Sequence, residues 1–275
     1  MKLDGLVVVR GGGDLGTGVA HRLFVAGYRV VVLETEHPTV VRRSAAFAEA
    51  VTSGSASVEE VEARLANLAD LESPEGRGVA DRPDWVPVLV DPRGAAIAAL
   101  HPDAVVDARM AKVNLGTARD DAPVTVGLGP GFTAGGDVDF VVETARGHSL
   151  GRVILEGTAL PNTGVPGLVG GVGAARVIRA PASGSFVSAR AIGDLVREGD
   201  VVGTVGGREA RAAVAGLLRG LVAEGVELRE GQKLGDVDPR GATVDHARIS
   251  DKARSIGGAV LEALLRAGVF PGHAH

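Results

Sequence analysis

Leu6-Val-Val-Val-Arg-Gly-Gly-Gly-Asp-Leu-Gly16, running on to Ala26, is the stretch whose reading decides the fold. Leu6 to Val9 are apolar and mostly β-branched, the composition of a strand buried on both faces. Gly11, Gly13 and Gly16 follow at G-x-G-x-x-G spacing. Leu15 to Ala26 carries apolar residues at helical intervals and stops at Gly27. A second strand, Arg29-Val-Val-Val-Leu-Glu34, ends on a carboxylate. Strand, glycine turn, helix, strand and acid, in that order, predict a Rossmann βαβ unit. In this reading Gly11 permits the tight turn, Gly13 lets a pyrophosphate approach the backbone, and Gly16 lets helix and strand pack closely. Gly12, Asp14 and Leu15 complete the loop, whose N–H groups would face the anion. Asp14 opposes a phosphate unless it caps the helix, and Arg10 offsets its charge. Glu34 suits a ribose diol better than a 2′-phosphate, so NAD or another nucleotide with a free ribose is expected rather than NADP.

Working outward, 275 residues suffice for one large domain or two ordinary ones. The chain is 45% hydrophobic and only 3% aromatic, with 41 glycines, so its cores must be built from Val, Leu, Ala and Ile between glycine turns. A net charge of −5 argues against a general nucleic-acid binder. The absence of cysteine excludes disulfides, thiolate metal sites and iron–sulfur clusters. There is no signal-like N-terminus and no apolar run of membrane length, which predicts a cytoplasmic protein without a membrane partner.

After Glu34 the residues Thr39 to Val51 read as a helix, with Arg42 and Arg43 early in it. These arginines either clamp a phosphate or carboxylate or form a solvated basic face. Ser57-Val-Glu-Glu60 has the form of a capping box ahead of a second helix, with Val58, Val61, Leu65 and Leu68 on one stripe. Ser73 to Pro83 is a loop. Further strands are expected at Val86 to Val90, Ala104 to Arg109, Val124 to Leu128 and Val138 to Val142, and a short helix between Asp91 and Leu100. Alternating strands and helices predict an α/β fold, a doubly wound and mostly parallel sheet.

Ligands of such sheets bind where the carboxyl ends of the strands meet. Three groups fall on those ends: Asp107-Ala-Arg-Met-Ala-Lys112, the glycine-rich Gly127 to Asp137, and Glu143-Thr-Ala-Arg146-Gly-His148. Lys112 and Arg146 are candidate anion ligands, and Asp107, Lys112 and His148 candidate proton carriers. Alternatively, Asp107–Arg109 and Glu143–Arg146 are ion pairs that merely fix the loops. Two histidines in the tail, His273 and His275, have no third ligand nearby, and no metal site is expected.

From about Arg176 to Arg240 the residues repeat with an offset of 32, as in Gly184 with Gly216 and Arg197-Glu-Gly199 with Arg229-Glu-Gly231. Short strands duplicated once predict a small β-barrel with approximate two-fold symmetry. Ala180-Pro-Ala-Ser-Gly184, Ile192 to Gly199 and Gly225 to Gly231 resemble the biotinyl/lipoyl or hammerhead-barrel module. Carrier modules of that kind present a modified lysine between their halves. Here that hairpin reads Val205-Gly-Gly-Arg-Glu209, so no covalent biotin or lipoate is expected. Ile249 to Ala267 is an amphipathic helix. The expected organisation is a nucleotide-binding domain over 1–150, a barrel over 151–245 and a helix over 246–275 returning to the first domain.

Beyond these parts the chain resembles the YqeB-type family, accessory proteins of selenium-dependent molybdenum hydroxylase systems. The likeness is carried by Val9-Arg-Gly-Gly-Gly-Asp14, Val41-Arg-Arg-Ser44, Asp107-Ala-Arg-Met-Ala-Lys112, Gly129-Pro-Gly-Phe132, Glu143-Thr-Ala-Arg-Gly-His148 and Asp236-Val-Asp-Pro-Arg240. The resemblance implies a maturation factor that binds a nucleotide, or a nucleotide-bearing molybdenum cofactor, and meets a molybdenum hydroxylase client or other maturation proteins. Two further readings are an NAD-dependent oxidoreductase for a small anionic substrate and a non-catalytic scaffold with a vestigial nucleotide site. Whether the chain is an enzyme is left open at this point.

Overall fold

The computed structural model describes residues 5–71 and 84–272. The loop expected at 73–83 and the tail histidines lie outside these residues. His37–Ala45 with Thr163–Arg248 form one compact unit, and the rest of the described chain forms another.

The larger unit opens with strand β1 (Leu6–Arg10), helix α1 (Asp14–Val25) and strand β2 (Arg29–Glu34). A short helix α2 (Glu49–Ser53) leads into a hairpin of β3 (Ser55–Val58) and β4 (Val61–Leu65). Then come α3 (Leu68–Leu71), β5 (Val86–Val90), α4 (Ala95–Leu100), β6 (Ala104–Asp107) and β7 (Val124–Leu128). Four short strands follow: β8 (Thr133–Ala134), β9 (Phe140–Val142), β10 (Val153–Ile154) and β11 (Gly157–Thr158). The main sheet has nine strands in the order β10-β9-β7-β6-β1-β2-β5-β4-β3, while β8 pairs with β11 apart from it. Pairing is parallel from β9 to β4 and antiparallel at both ends, β10 with β9 and β3 with β4.

Alternation along the central strands divides the core between two faces. Val7, Val9, Val30 and Val32 belong to the cluster that holds Leu23, Ile256 and Val260, whereas Leu6, Val8, Val31 and Leu33 belong with Ile97 and Leu100. On the first face α1 meets α5 (Asp251–Arg266), a helix capped by the Ser250 hydroxyl accepting from the Ala253 N–H at 3.1 Å. The two helices come close where glycine stands in each of them. A Cβ on Gly18 would lie 2.7 Å from that of Ala253, and one on Gly257 would lie 2.5 Å from the Gly18 carbonyl oxygen. No helix among the described residues is long and apolar enough to cross a membrane.

The expected Rossmann-like, doubly wound plan is corrected by this structure. The sheet is mixed, the passage from β6 to β7 contains no helix, and the passage from β2 to β5 runs through an antiparallel hairpin. Ser57 to Glu60 starts no helix. Val58 pairs with Val61 across a turn made by Glu59 and Glu60, so those two of the stripe assigned to a helix are buried side by side in a hairpin, while Leu65 is exposed and Leu68 begins α3. Thr39 to Val51 likewise gives only a 3-10 turn at Arg43–Ala45 and the short α2.

The second unit contains β12 (Val177–Arg179), β13 (Gly184–Ser188), β14 (Leu195–Val196) and β15 (Val201–Val205). Next come β16 (Arg208–Arg211), β17 (Gly216–Leu221), β18 (Glu227–Leu228) and β19 (Lys233–Asp238). They form two four-stranded antiparallel sheets, β12-β19-β17-β14 and β16-β15-β13-β18. Exchanging each strand of one sheet for its equivalent in the other repeat gives the other sheet, so each sheet mixes strands of both repeats. The sheets enclose an apolar core around Phe186, Leu218 and Leu234. Against that core lies a buried carboxylate, Asp236. It accepts from the Arg176 Nη1 at 2.6 Å, the Arg219 Nη2 at 3.0 Å and the Lys233 Nζ at 3.2 Å.

Two consequences can be measured. Gly257→Val forces a branched side chain onto the backbone of Gly18, an overpacking that costs on the order of 1–3 kcal/mol. Chemical denaturation should show that loss, and a variant as stable as the native chain would refute the close crossing. Burial pushes the Asp236 carboxyl up, but Lys233, Arg219 and Arg176 outweigh it and hold the group below its ordinary value of 3.8. A depressed carboxylate contributes stability above its unfolded value and loses it as pH falls through the folded one. Hydrogen exchange in β17 and β19, corrected for intrinsic rates, should therefore quicken below about pH 4. In Asp236→Asn, which leaves Arg176 buried without its carboxylate, it should quicken already at pH 7, by about 3 kcal/mol of lost protection.

Candidate functional site

The glycine turn is built for packing. Gly11 adopts φ of 100°, and a Cβ on Gly16 would fall 1.9 Å from the Gly11 carbonyl oxygen. The Gly11 N–H donates to the Leu33 carbonyl at 2.7 Å, which ties the turn to β2. The Gly12 N–H donates to the Glu34 Oε2 at 2.8 Å, and the other oxygen of Glu34 accepts from the Thr35 N–H. The Gly12 carbonyl accepts from the Ala48 N–H at 2.9 Å and from the Thr17 hydroxyl at 2.8 Å. Ala46 to Ala48 are fully buried there, and Gly13 enters α1 as its N-cap without a side-chain cap.

This arrangement overturns the nucleotide reading. The donor of Gly12 is already engaged, the acid assigned to a ribose serves the turn itself, and the Ala48 backbone stands where a phosphate would approach Gly12. Asp14 and Leu15 begin α1 partly exposed. Arg42 and Arg43 belong to the other unit, where Arg42 donates to the carbonyls of His246 and Arg248 and Arg43 to that of Leu221. NAD, a related nucleotide and a molybdenum cofactor are accordingly withdrawn as ligands of this turn. So are the three functions built on it: maturation factor, NAD-dependent oxidoreductase and scaffold with a vestigial nucleotide site.

Polar residues still gather at the carboxyl ends of β6, β7 and β9. Asp107 is buried and fully engaged: it accepts from the Arg109 Nη2 at 2.5 Å and from the Thr117 hydroxyl at 2.7 Å. Thr117 also accepts from the buried Arg10 at 2.8 Å. Asp107 therefore fixes the loop behind it. In that loop Met110 and Lys112 both adopt left-handed backbone, φ 57° and 68°. Such strain in residues with side chains persists only when neighbours enforce it. Gly131 packs against this stretch, and a Cβ on it would lie 2.8 Å from the Lys112 carbonyl carbon. Lys112 itself is exposed, as is His148 in the turn after β9. Glu143 is buried and accepts from the Ala145 N–H at 2.7 Å and the Leu160 N–H at 2.8 Å. Arg146 forks onto Asp251, at 2.8 and 3.0 Å.

The residue that sequence reading missed here is Lys252, in the first turn of α5. Burial lowers the affinity of its amine for a proton, the positive charges of Arg146 and Lys112 lower it further, and Asp14 and Glu143 oppose them. Lys252 thus senses four charged residues drawn from three separate stretches of chain. A helix that looks merely amphipathic gives no sign of this. Beside Glu143 a cavity of about 760 Å³ opens, lined among others by Arg152, Ile154, Leu155, Leu160 and Arg266.

A second group, also missed, lies at the β3–β4 turn. His21 of α1 faces Glu59 and Glu60, and the three offer ligand atoms within 4.8 Å of one another. Reading 57–60 as a helix cap had placed those acids in another setting.

Comparisons with known proteins add the following. No family model matches the chain. It is 52% identical over 260 residues to the uncharacterized protein YqeB of Escherichia coli (strain K12), which covers 94% of this chain. The chain spans about half the length of that curated relative, 47%. Solved structures similar to it include an aspartoacylase family protein from Mesorhizobium loti (16% identity, TM-score 0.26, covering 86% of this chain and 85% of that one). A succinylglutamate desuccinylase/aspartoacylase from Rhodobacter sphaeroides gives 17% and 0.25, covering 86% and 85%. Superposition this loose lends the chain neither their fold nor any activity of theirs.

Proposed function

We propose that the chain is an enzyme that performs proton transfer on a small carboxylate-bearing substrate at the carboxyl edge of the nine-stranded sheet. Lys252 is the base, Lys112 the cation that receives the substrate's carboxylate, and the cavity beside Glu143 takes the remainder of the molecule. The observation that carries this reading is the setting of Lys252. A lysine serves better as a base the more its ammonium form is disfavoured. Here partial burial, Arg146, Lys112 and the positive end of α5 all act in that direction. The strained Met110 and Lys112 support the same placement, because strain of this kind gathers where a side chain must be held in one position.

The test is to follow each lysine by NMR after isotopic methylation and titrate the intact chain. The Lys252 signal should titrate below the ordinary lysine value of 10.5, and Arg146→Gln should move it upward. Turnover found in a panel of carboxylate-bearing esters, amides and 2-oxo acids should disappear in Lys252→Met and show a raised KM in Lys112→Ala. A Lys252 that titrates with the surface lysines would end the proposal.

A further inference from the structure

We propose that His21, Glu59 and Glu60 form a site for a divalent transition-metal ion of the zinc class, independent of the proton-transfer site. His21 is the anchoring observation. Its side chain is 8% exposed, and its Nε2 makes no hydrogen bond although it is buried. A buried ring nitrogen without a partner is a destabilising feature that native structures rarely retain without use. That nitrogen is aimed at two carboxylates, 3.3 Å from the Glu60 Oε1 and 3.8 Å from the Glu59 Oε2.

The separation of the His21 Nε2 from the Glu60 Oε1 is that of two ligands of one ion, and the Glu59 Oε2, at 3.8 Å, has to close in only slightly to become the third. With bonds of about 2.0–2.1 Å, a tetrahedral ion holds its ligand atoms about 3.3 Å apart. The supporting contacts are those of a ligand carboxylate. The Oε1 of Glu59 accepts from the Ile249 N–H at 3.1 Å and from the Arg254 guanidinium at 2.5 Å. The remaining oxygen, Oε2, is the one turned to His21. Hydrogen bonding of one carboxylate oxygen while the other ligates is how such side chains are oriented. Glu59 also holds a left-handed backbone, φ 54°, in the hairpin turn that brings both acids to His21.

The donor set defines the class of ion. One neutral imidazole and two carboxylates carry a formal charge of −2, matched by a divalent cation. Imidazole favours zinc and its neighbours over calcium and magnesium, which prefer oxygen alone. Glu60 is 65% exposed, so the ion would be reached from solvent and keep at least one position for water. Bound there, it would fasten the β3–β4 turn to α1, and through Glu59 to the start of α5.

The test uses the full chain freed of metal by a chelator and titrated with zinc in a calorimeter. His273 and His275 are both replaced by alanine, so that the tail cannot supply ligands. One equivalent should bind and raise the melting temperature, and cobalt in its place should give a visible d–d band. Calcium should do neither. Glu60→Gln, at an exposed position that should leave folding unchanged, should weaken zinc at least tenfold, and His21→Gln should abolish the cobalt band. The native protein's His21 ring nitrogens, followed by NMR, should shift on adding zinc. Absence of binding, equal affinity in Glu60→Gln, or a His21 resonance that ignores zinc would each show an ordinary histidine–carboxylate contact and overturn the site.

Discussion

Everything in the larger unit depends on how closely the chain approaches itself at the glycine turn. The Gly11 carbonyl occupies the space where any side chain on residue 16 would have to begin. Only that proximity lets α1 leave β1 at once and lie along the sheet. It also lets Thr17 reach back to Gly12 and accept from the Phe47 N–H at 2.8 Å. The buried segment Ala46–Ala48 is stitched in through the same atoms. With α1 so placed, Gly18 can meet α5, and α5 in turn presents Lys252 on its first turn.

The sequence reading found the parts whose signal is local. The β-branched runs at Val7, Val30, Val88, Val105 and Val126 are strands, because their apolar residues face cores on both sides of a sheet. The glycines at 11 and 16 mark a tight turn. What they do not reveal is what fills it. A G-x-G-x-x-G turn that receives a phosphate and one that receives the Ala48 backbone share the same glycines, and only a residue 36 positions beyond Gly12 tells them apart. Glu34 was misread for the same reason. Its place at the strand end was evident, while its hydrogen bond to Gly12 was not.

The errors elsewhere have a common physical origin. Val58, Val61 and Leu65 are spaced as a helix spaces its buried side, but a two-residue turn between Val58 and Val61 puts those two side by side across a hairpin. That error moved Glu59 and Glu60 away from His21 and hid their grouping. Lys252 was passed over because its environment comes from Asp14, Lys112, Glu143 and Arg146, none of them near it in sequence. Long-range electrostatics leaves no periodic trace.

The way the two units share the chain bears on its biosynthesis. Segment 37–45 belongs with residues beyond 162, and α5 belongs with the sheet whose first strand starts at Leu6. Neither unit is complete until the ribosome has passed residue 248. At roughly 5–20 residues per second, nascent β1 and β2 wait on the order of ten seconds or more for the helix that covers them. During that interval the apolar side of the young sheet, Val7, Val9, Val30 and Val32, stands without the helix that buries it.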